Sequence, residues 1–73
     1  MTDTDWETTV KNTLKAELKR RGITYEQLVE RLAAIGVEET VAGVKGKLSR
    51  GSFSAAYLFQ CLNAIGCKEL RLD

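Results

Sequence analysis

No proline interrupts this chain, and glycines stand at positions 22, 36, 51 and 66, each just after a run of helical apolar spacing. Glycine readily takes the left-handed turn that closes a helix, so such positions read as stops. Within the runs apolar residues recur every three or four positions, and strand-like alternation is absent until the last few residues. This punctuation predicts an all-α chain: a compact bundle of four or five short helices with a short extended C-terminal tail. One domain would span residues 1–73, with a core over about 5–67 and a tail over 68–73.

The first helix is predicted over about residues 5–21, with Thr4 and Glu7 at capping-box spacing. Trp6, Val10, Leu14 and Leu18 form its apolar stripe, and Lys11, Lys15 and Lys19 run beside it. That lysine row reads first as a solvated face. Lys19, Arg20 and Arg21 also suit a last turn, where cations offset the macrodipole. The second helix has a capping box in Thr24 and Gln27, flanked by Ile23 and Leu28 as a hydrophobic staple. Leu28, Val29, Leu32 and Ile35 are its expected inner face.

A short link at Gly36 and Val37 leads to a third helix over about residues 38–50, anchored by Val41, Val44 and Leu48. A fourth follows Ser54 as N-cap, with Phe53 and Leu58 as a staple and Leu58, Cys61, Leu62 and Ile65 buried. Two helices joined by a short glycine-containing turn fit the helix-turn-helix pattern. The tail of Leu70, Arg71 and Leu72 reads either as a short strand pairing with its own copy or as a fold-back over the core.

The net charge of +1 conceals an alternation. Asp3, Asp5 and Glu7 give −3 over residues 1–10, and Lys11, Lys15, Lys19, Arg20 and Arg21 against Glu17 give +4 over 11–22. Glu26, Glu30, Glu38 and Glu39 against Arg31 return −3 over 23–40, and Lys45, Lys47 and Arg50 give +3 over 41–54. Near-neutrality argues against strong indiscriminate nucleic-acid binding, which rests on phosphate neutralisation, while two basic patches remain as footprints. No apolar run approaches the ~20 residues of a membrane span. The acidic start does not resemble a signal peptide, so a cytoplasmic location without membrane contact is expected.

Catalytic chemistry finds little to work with. The chain has no histidine and two cysteines, Cys61 and Cys67, short of the usual four-ligand zinc set. No Ser or Cys has an evident base, and the one adjacent carboxylate pair, Glu38 and Glu39, is explained by a helix N-terminus. The expectation is no enzyme, no metal, no cofactor and no small-molecule substrate. Gly43-Val44-Lys45-Gly46 has the spacing of an RNA-clamping loop, but the strands of that fold are missing.

On these residues the stretch over 14–67 resembles the λ-repressor-like (Cro/repressor) helix-turn-helix domains. Leu14 to Gly22 followed by Ile23-Thr24 resembles their first helix and its exit. Thr24-Tyr25-Glu26-Gln27-Leu28-Val29-Glu30-Arg31-Leu32 resembles the positioning helix, and Ser54-Ala55-Ala56-Tyr57-Leu58 with Ala64-Ile65-Gly66-Cys67 the last core helix. Lys47-Leu48-Ser49-Arg50-Gly51, Phe53-Ser54-Ala55-Ala56 and Gln60-Cys61-Leu62 look closest to a small uncharacterised bacterial family of this type. Tyr25 stands where the family commonly has Gln, and the stretch over 32–44 is longer than usual.

The resemblance implies that the third helix faces double-stranded DNA, in a small transcriptional regulator. With Val41, Val44 and Leu48 inward, the opposite face holds Glu39, Ala42, Gly43, Gly46, Ser49 and Arg50. Lys45 and Lys47 are then expected as phosphate anchors, with Arg50 as an edge or backbone contact and Thr24, Tyr25 and Gln27 near a second phosphate. Two reasons for Gly43 and Gly46 remain open: a smooth face for close approach, or a break in the helix. The alternative function is a protein-interaction module of the same fold, self-pairing through the third helix or through Leu70 and Leu72.

Overall fold

The computed structural model describes residues 5–70. Four α-helices follow in order, α1 Trp6–Arg21, α2 Tyr25–Ala34, α3 Val41–Arg50 and α4 Ala55–Ala64, and no strand occurs among the described residues. Each helix opens on a side chain that accepts the otherwise orphaned amide three residues on. Asp5 takes Thr8 N–H at 3.2 Å, Thr24 takes Gln27 at 3.1 Å, Thr40 takes Gly43 at 2.9 Å and Ser54 takes Tyr57 at 3.0 Å.

The glycine stops act as their positions predict. After α1, α2 and α4 the two closing bonds of a Schellman motif form: the amides of Ile23, Val37 and Cys67 reach Leu18, Leu32 and Leu62 at 2.8–2.9 Å. An apolar residue thus follows each of these three glycines and is drawn against the core. Gly51 closes α3 with one bond to the Lys47 carbonyl.

The core draws on all four helices. Leu14, Leu28, Leu32, Val44, Leu48 and Cys61 are essentially sealed, with Leu18, Tyr57, Leu62 and Ile65 close behind. Burying a leucine or valine of this kind stabilises the fold by about 1.5–3 kcal/mol. α2 packs on both α3 and α4, while α1 packs on α3. Because α1 and α2 cover its inner side, α3 keeps its other side open.

Several boundaries differ from those expected. Asp5 caps α1 in place of the Thr4–Glu7 box, because its second oxygen also accepts the Thr8 hydroxyl at 2.7 Å; Thr4 lies outside the described residues. α3 begins at Val41 instead of Glu38, since the Thr40 hydroxyl makes the cap and Glu38 and Glu39 precede it. The link from α2 therefore spans residues 35–40 rather than a bare turn at Gly36 and Val37. Trp6 and Ile35, expected inward, are exposed at helix ends. α3 continues through Gly43 and Gly46 without a break. Of the tail, Leu70 packs half-buried against the core without regular structure; Arg71 and Leu72, and with them the self-pairing strand, lie outside the described residues.

Candidate functional site

α3 places its side chains by simple helical geometry. Val44 and Leu48 point inward and are sealed, while Ala42, Lys45, Ser49 and Arg50 are exposed and Gly46 is half-exposed. Arg50 stands last in the helix, yet its guanidinium does not stay at that end. The point where a Cβ of Gly46 would sit lies 3.3 Å from Arg50 Nη1. The side chain therefore folds back one turn across the middle of the open face, into room that a glycine leaves.

Two lysines lie on or against the same helix. Lys45 lies one turn before Ser49 on the same flank, and Lys11 reaches across from α1 to donate to the Ser49 carbonyl at 3.3 Å. An ammonium carries three donors, so two on Lys11 remain. Among the described residues, no carboxylate pairs with Lys11, Lys45 or Arg50; the ion-paired cations are Arg20 and Arg21 with Glu17, and Lys47 with Glu39. Arg21 also donates to the Ile65 carbonyl, at the end of α4.

The amino end of α3 carries the opposite charge. Glu39 folds back from the link so that Oε1 accepts the Thr40 amide and Oε2 accepts Lys47 Nζ, both at 3.0 Å. Its side chain is only 9% exposed. It occupies the space beside Gly43, where a Cβ would collide with Glu39 Oε1. Lys47 Nζ also stands 4.8 Å from the centre of the Tyr57 ring, which Phe53 meets edge-on at 5.4 Å.

Burial alone would push the Glu39 carboxyl up, but the Thr40 amide, the Lys47 ammonium and the nearby Tyr57 hydroxyl together hold it below the usual glutamate range. Burial chiefly, with the Glu39 carboxylate and Cys61 acting in the same sense, pushes the Tyr57 phenol up, and burial pushes the Cys61 thiol up to about 11. At neutral pH, Glu39 is thus an anion beside a neutral phenol and a protonated thiol. The Tyr57 hydroxyl is sealed and, among the described residues, meets no partner in good hydrogen-bond geometry.

The expected site residues therefore separate. Lys45 and Arg50 stand on the open face as anticipated. Lys47 does not: Glu39 from the link and the Tyr57 ring of α4 engage it. Gly43 offers no smooth contact surface, because the Glu39 carboxylate covers it, and Glu39 itself precedes the helix whose outer face it was expected to line. Thr24 and Gln27 satisfy each other's amides in a complete capping box at 2.9 and 3.1 Å. Tyr25 is half-buried against the core, and no hydrogen bond joins this trio to the α3 face among the described residues. Thr40 and Tyr57 were not anticipated, although each carried a signal. Thr40 is a capping residue before an apolar repeat, and Tyr57 is one turn from Cys61 and two from Ile65.

Residues 6–70 match the model of a family described as a domain of unknown function (DUF6471). No curated protein and no solved structure matches the chain.

Proposed function

The chain belongs to this DUF6471 family, and we propose that it is a DNA-binding domain of the λ-repressor-like helix-turn-helix kind, a small regulator in which α2 and α3 form the DNA-facing pair. The observation that carries this reading is the Arg50 guanidinium, laid over Gly46 at the centre of the open face of α3 without an acidic partner among the described residues. Exposed Lys45 on α3 and Lys11, which reaches α3 from α1 at the Ser49 carbonyl, add two further cations to this helix.

Each cation has a distinct part. Lysines contact phosphate as point charges and position the duplex without reading it. Arginine can also grip a guanine edge through two hydrogen bonds, so Arg50 is the one residue of the three suited to discriminate bases. The small neighbours Ala42, Gly46 and Ser49 let the helix backbone approach the groove closely. Selectivity is accordingly modest and shape-led, with one arginine carrying the direct readout.

Duplex titration at rising salt tests the proposal. The two lysine–phosphate contacts give a log–log slope near −1.8, from ~0.9 per phosphate. Lys45→Ala should weaken all duplexes alike and flatten the slope by about 0.9, whereas Arg50→Ala should also erase preference between sequences. A slope near zero, or binding indifferent to both changes, overturns it.

A protein-interaction module is the second reading, favoured by Phe59. This aromatic is 65% exposed on α4, beside a groove lined by Leu62, Cys67 and Leu70. Under that reading Phe59→Ser abolishes self-association in sedimentation runs, while Arg50→Ala leaves it unchanged.

A further inference from the structure

Glu39 is an anion in a place shaped for one. Its carboxylate is met by the Thr40 amide and the Lys47 ammonium at 3.0 Å each. The wall at Gly43 carries no side chain, and a methyl group there would expel the oxygen. Near the carboxylate is the Tyr57 hydroxyl, in a residue only 8% exposed, which meets no partner in good hydrogen-bond geometry among the described residues. A helix amino end that is merely solvated needs none of these three features.

The donors are also fixed independently of the glutamate. Lys47 is held over the Tyr57 ring, an attraction that persists when its carboxylate partner leaves. Thr40 is held by its own cap to Gly43. Glu39, by contrast, lies outside any helix, in the link over residues 35–40 between exposed Glu38 and Thr40. A side-chain rotation frees its carboxylate and leaves the cradle standing.

We infer that this cradle is a phosphate site that the chain closes with its own Glu39 side chain, and that a backbone phosphate of the bound duplex takes the place of that carboxylate. The exchange replaces one oxyanion with another on the same donors, so Lys47 faces an anion both before and after it. It recruits Lys47, the one basic residue of α3 with an ion-pair partner among the described residues, as a third phosphate contact. DNA binding is thereby restrained until the duplex displaces Glu39. The inference rests on the DNA reading for its physiological ligand, though the cradle itself can be probed without DNA.

The experiment uses the full chain and its Glu39→Ala variant, with inorganic phosphate as probe and the Thr40 and Gly43 amide resonances as readout. The variant should bind phosphate about ten-fold more tightly than the parent chain, the worth of one charge-assisted hydrogen bond. Adding Lys47→Ala to the variant should abolish the gain. With duplex DNA, Glu39→Ala should bind more tightly at an unchanged salt slope, since the displaced parent makes the same phosphate contacts, while Lys47→Ala should flatten the parent's slope by about 0.9. Should Glu39→Ala fail to fold, Glu39→Gln serves, because its amide nitrogen cannot accept from Lys47.

Folded variants that bind phosphate no better than the parent overturn the cradle, even if duplex binding itself is strong. Phosphate gain in the variant with no duplex binding by either protein sustains the cradle as a site for free phosphate and removes the DNA reading. Gain in both arms supports the two together.

Discussion

At the scale of single residues, two glycines of one helix should behave oppositely. A glycine in a helix interior costs about 1 kcal/mol relative to alanine, so each replacement starts from that gain. At Gly46 the new methyl meets only the tip of Arg50, a flexible chain that moves aside; Gly46→Ala should stabilise by up to about 1 kcal/mol in a denaturant melt. At Gly43 the methyl meets the Glu39 carboxylate and Thr40 Oγ1. Gly43→Ala must eject the one and crowd the other, so the gain should vanish or reverse. Equal stabilisation at both sites would mean that Glu39 does not lie where it is described.

Gly51 is a third case: its backbone is left-handed at φ 72°, and a Cβ would come within 2.6 Å of the Glu7 carbonyl oxygen. The conformation alone costs an ordinary residue about 1–2 kcal/mol, so Gly51→Ala should destabilise by more than that. The stop itself was legible, because a glycine after an apolar run is a local signal. The contact with α1 was not, since nothing near position 51 encodes what will lie across it.

At the scale of elements, the same division recurs. The caps at Thr24 and Ser54 act over three residues and could be recognised from spacing alone, as could Leu28 and Leu32 of α2, Val44 and Leu48 of α3 and Cys61 and Leu62 of α4. Ile35 and Val41, expected in the same rows, stand outside the core. The start of α3 was placed three residues early because two glutamates ahead of a helix look like a first turn. The deciding hydroxyl, Thr40, lay just beyond them. Thr40→Ala should therefore cost about 1 kcal/mol, a fall of roughly 4–8 °C in Tm for a domain of this size. The Glu39–Lys47–Tyr57 cluster joins the link, α3 and α4. Its members are conventional surface or core residues taken singly, so their meeting was invisible before the fold was known.

That cluster also gives a pH dependence with a definite sign. Glu39 is held below the usual glutamate range in the folded chain, so its contribution is present above the unfolded pKa, about 4.3, and is lost as pH falls through the lower folded one. Asp5 and Glu17 are shifted the same way, so the parent chain loses stability in acid for more than one reason. Glu39→Gln isolates one of them: its Tm should lie below the parent's at neutral pH and converge on it in acid. Parallel curves across that range would show that the carboxylate contributes nothing by being charged.

At the scale of the whole molecule, folding turns a charge alternation along the chain into a charge arrangement in space. The basic run over residues 11–22 lies in α1 and the run over 41–54 in α3, and α1 packs on α3. Lys11 at Ser49 marks where the two runs meet, a juxtaposition that a total of +1 conceals. This separates two responses to salt. Alone, the chain has little net charge to screen and only a few partly exposed ion pairs, each worth about 0–1 kcal/mol, so its Tm should barely move between low and physiological ionic strength. On the proposed DNA reading, a duplex held by the α1–α3 face should instead stabilise by mass action, about 2.7 kcal/mol at a hundred times Kd, or roughly 10–20 °C. That increment must collapse as salt raises Kd along the slope set by the phosphate contacts. Thermal melts with and without duplex across a salt series measure both at once. A duplex-induced rise that persisted in high salt would place the contact on apolar surface such as Phe59, and the cationic face would then have no part in it.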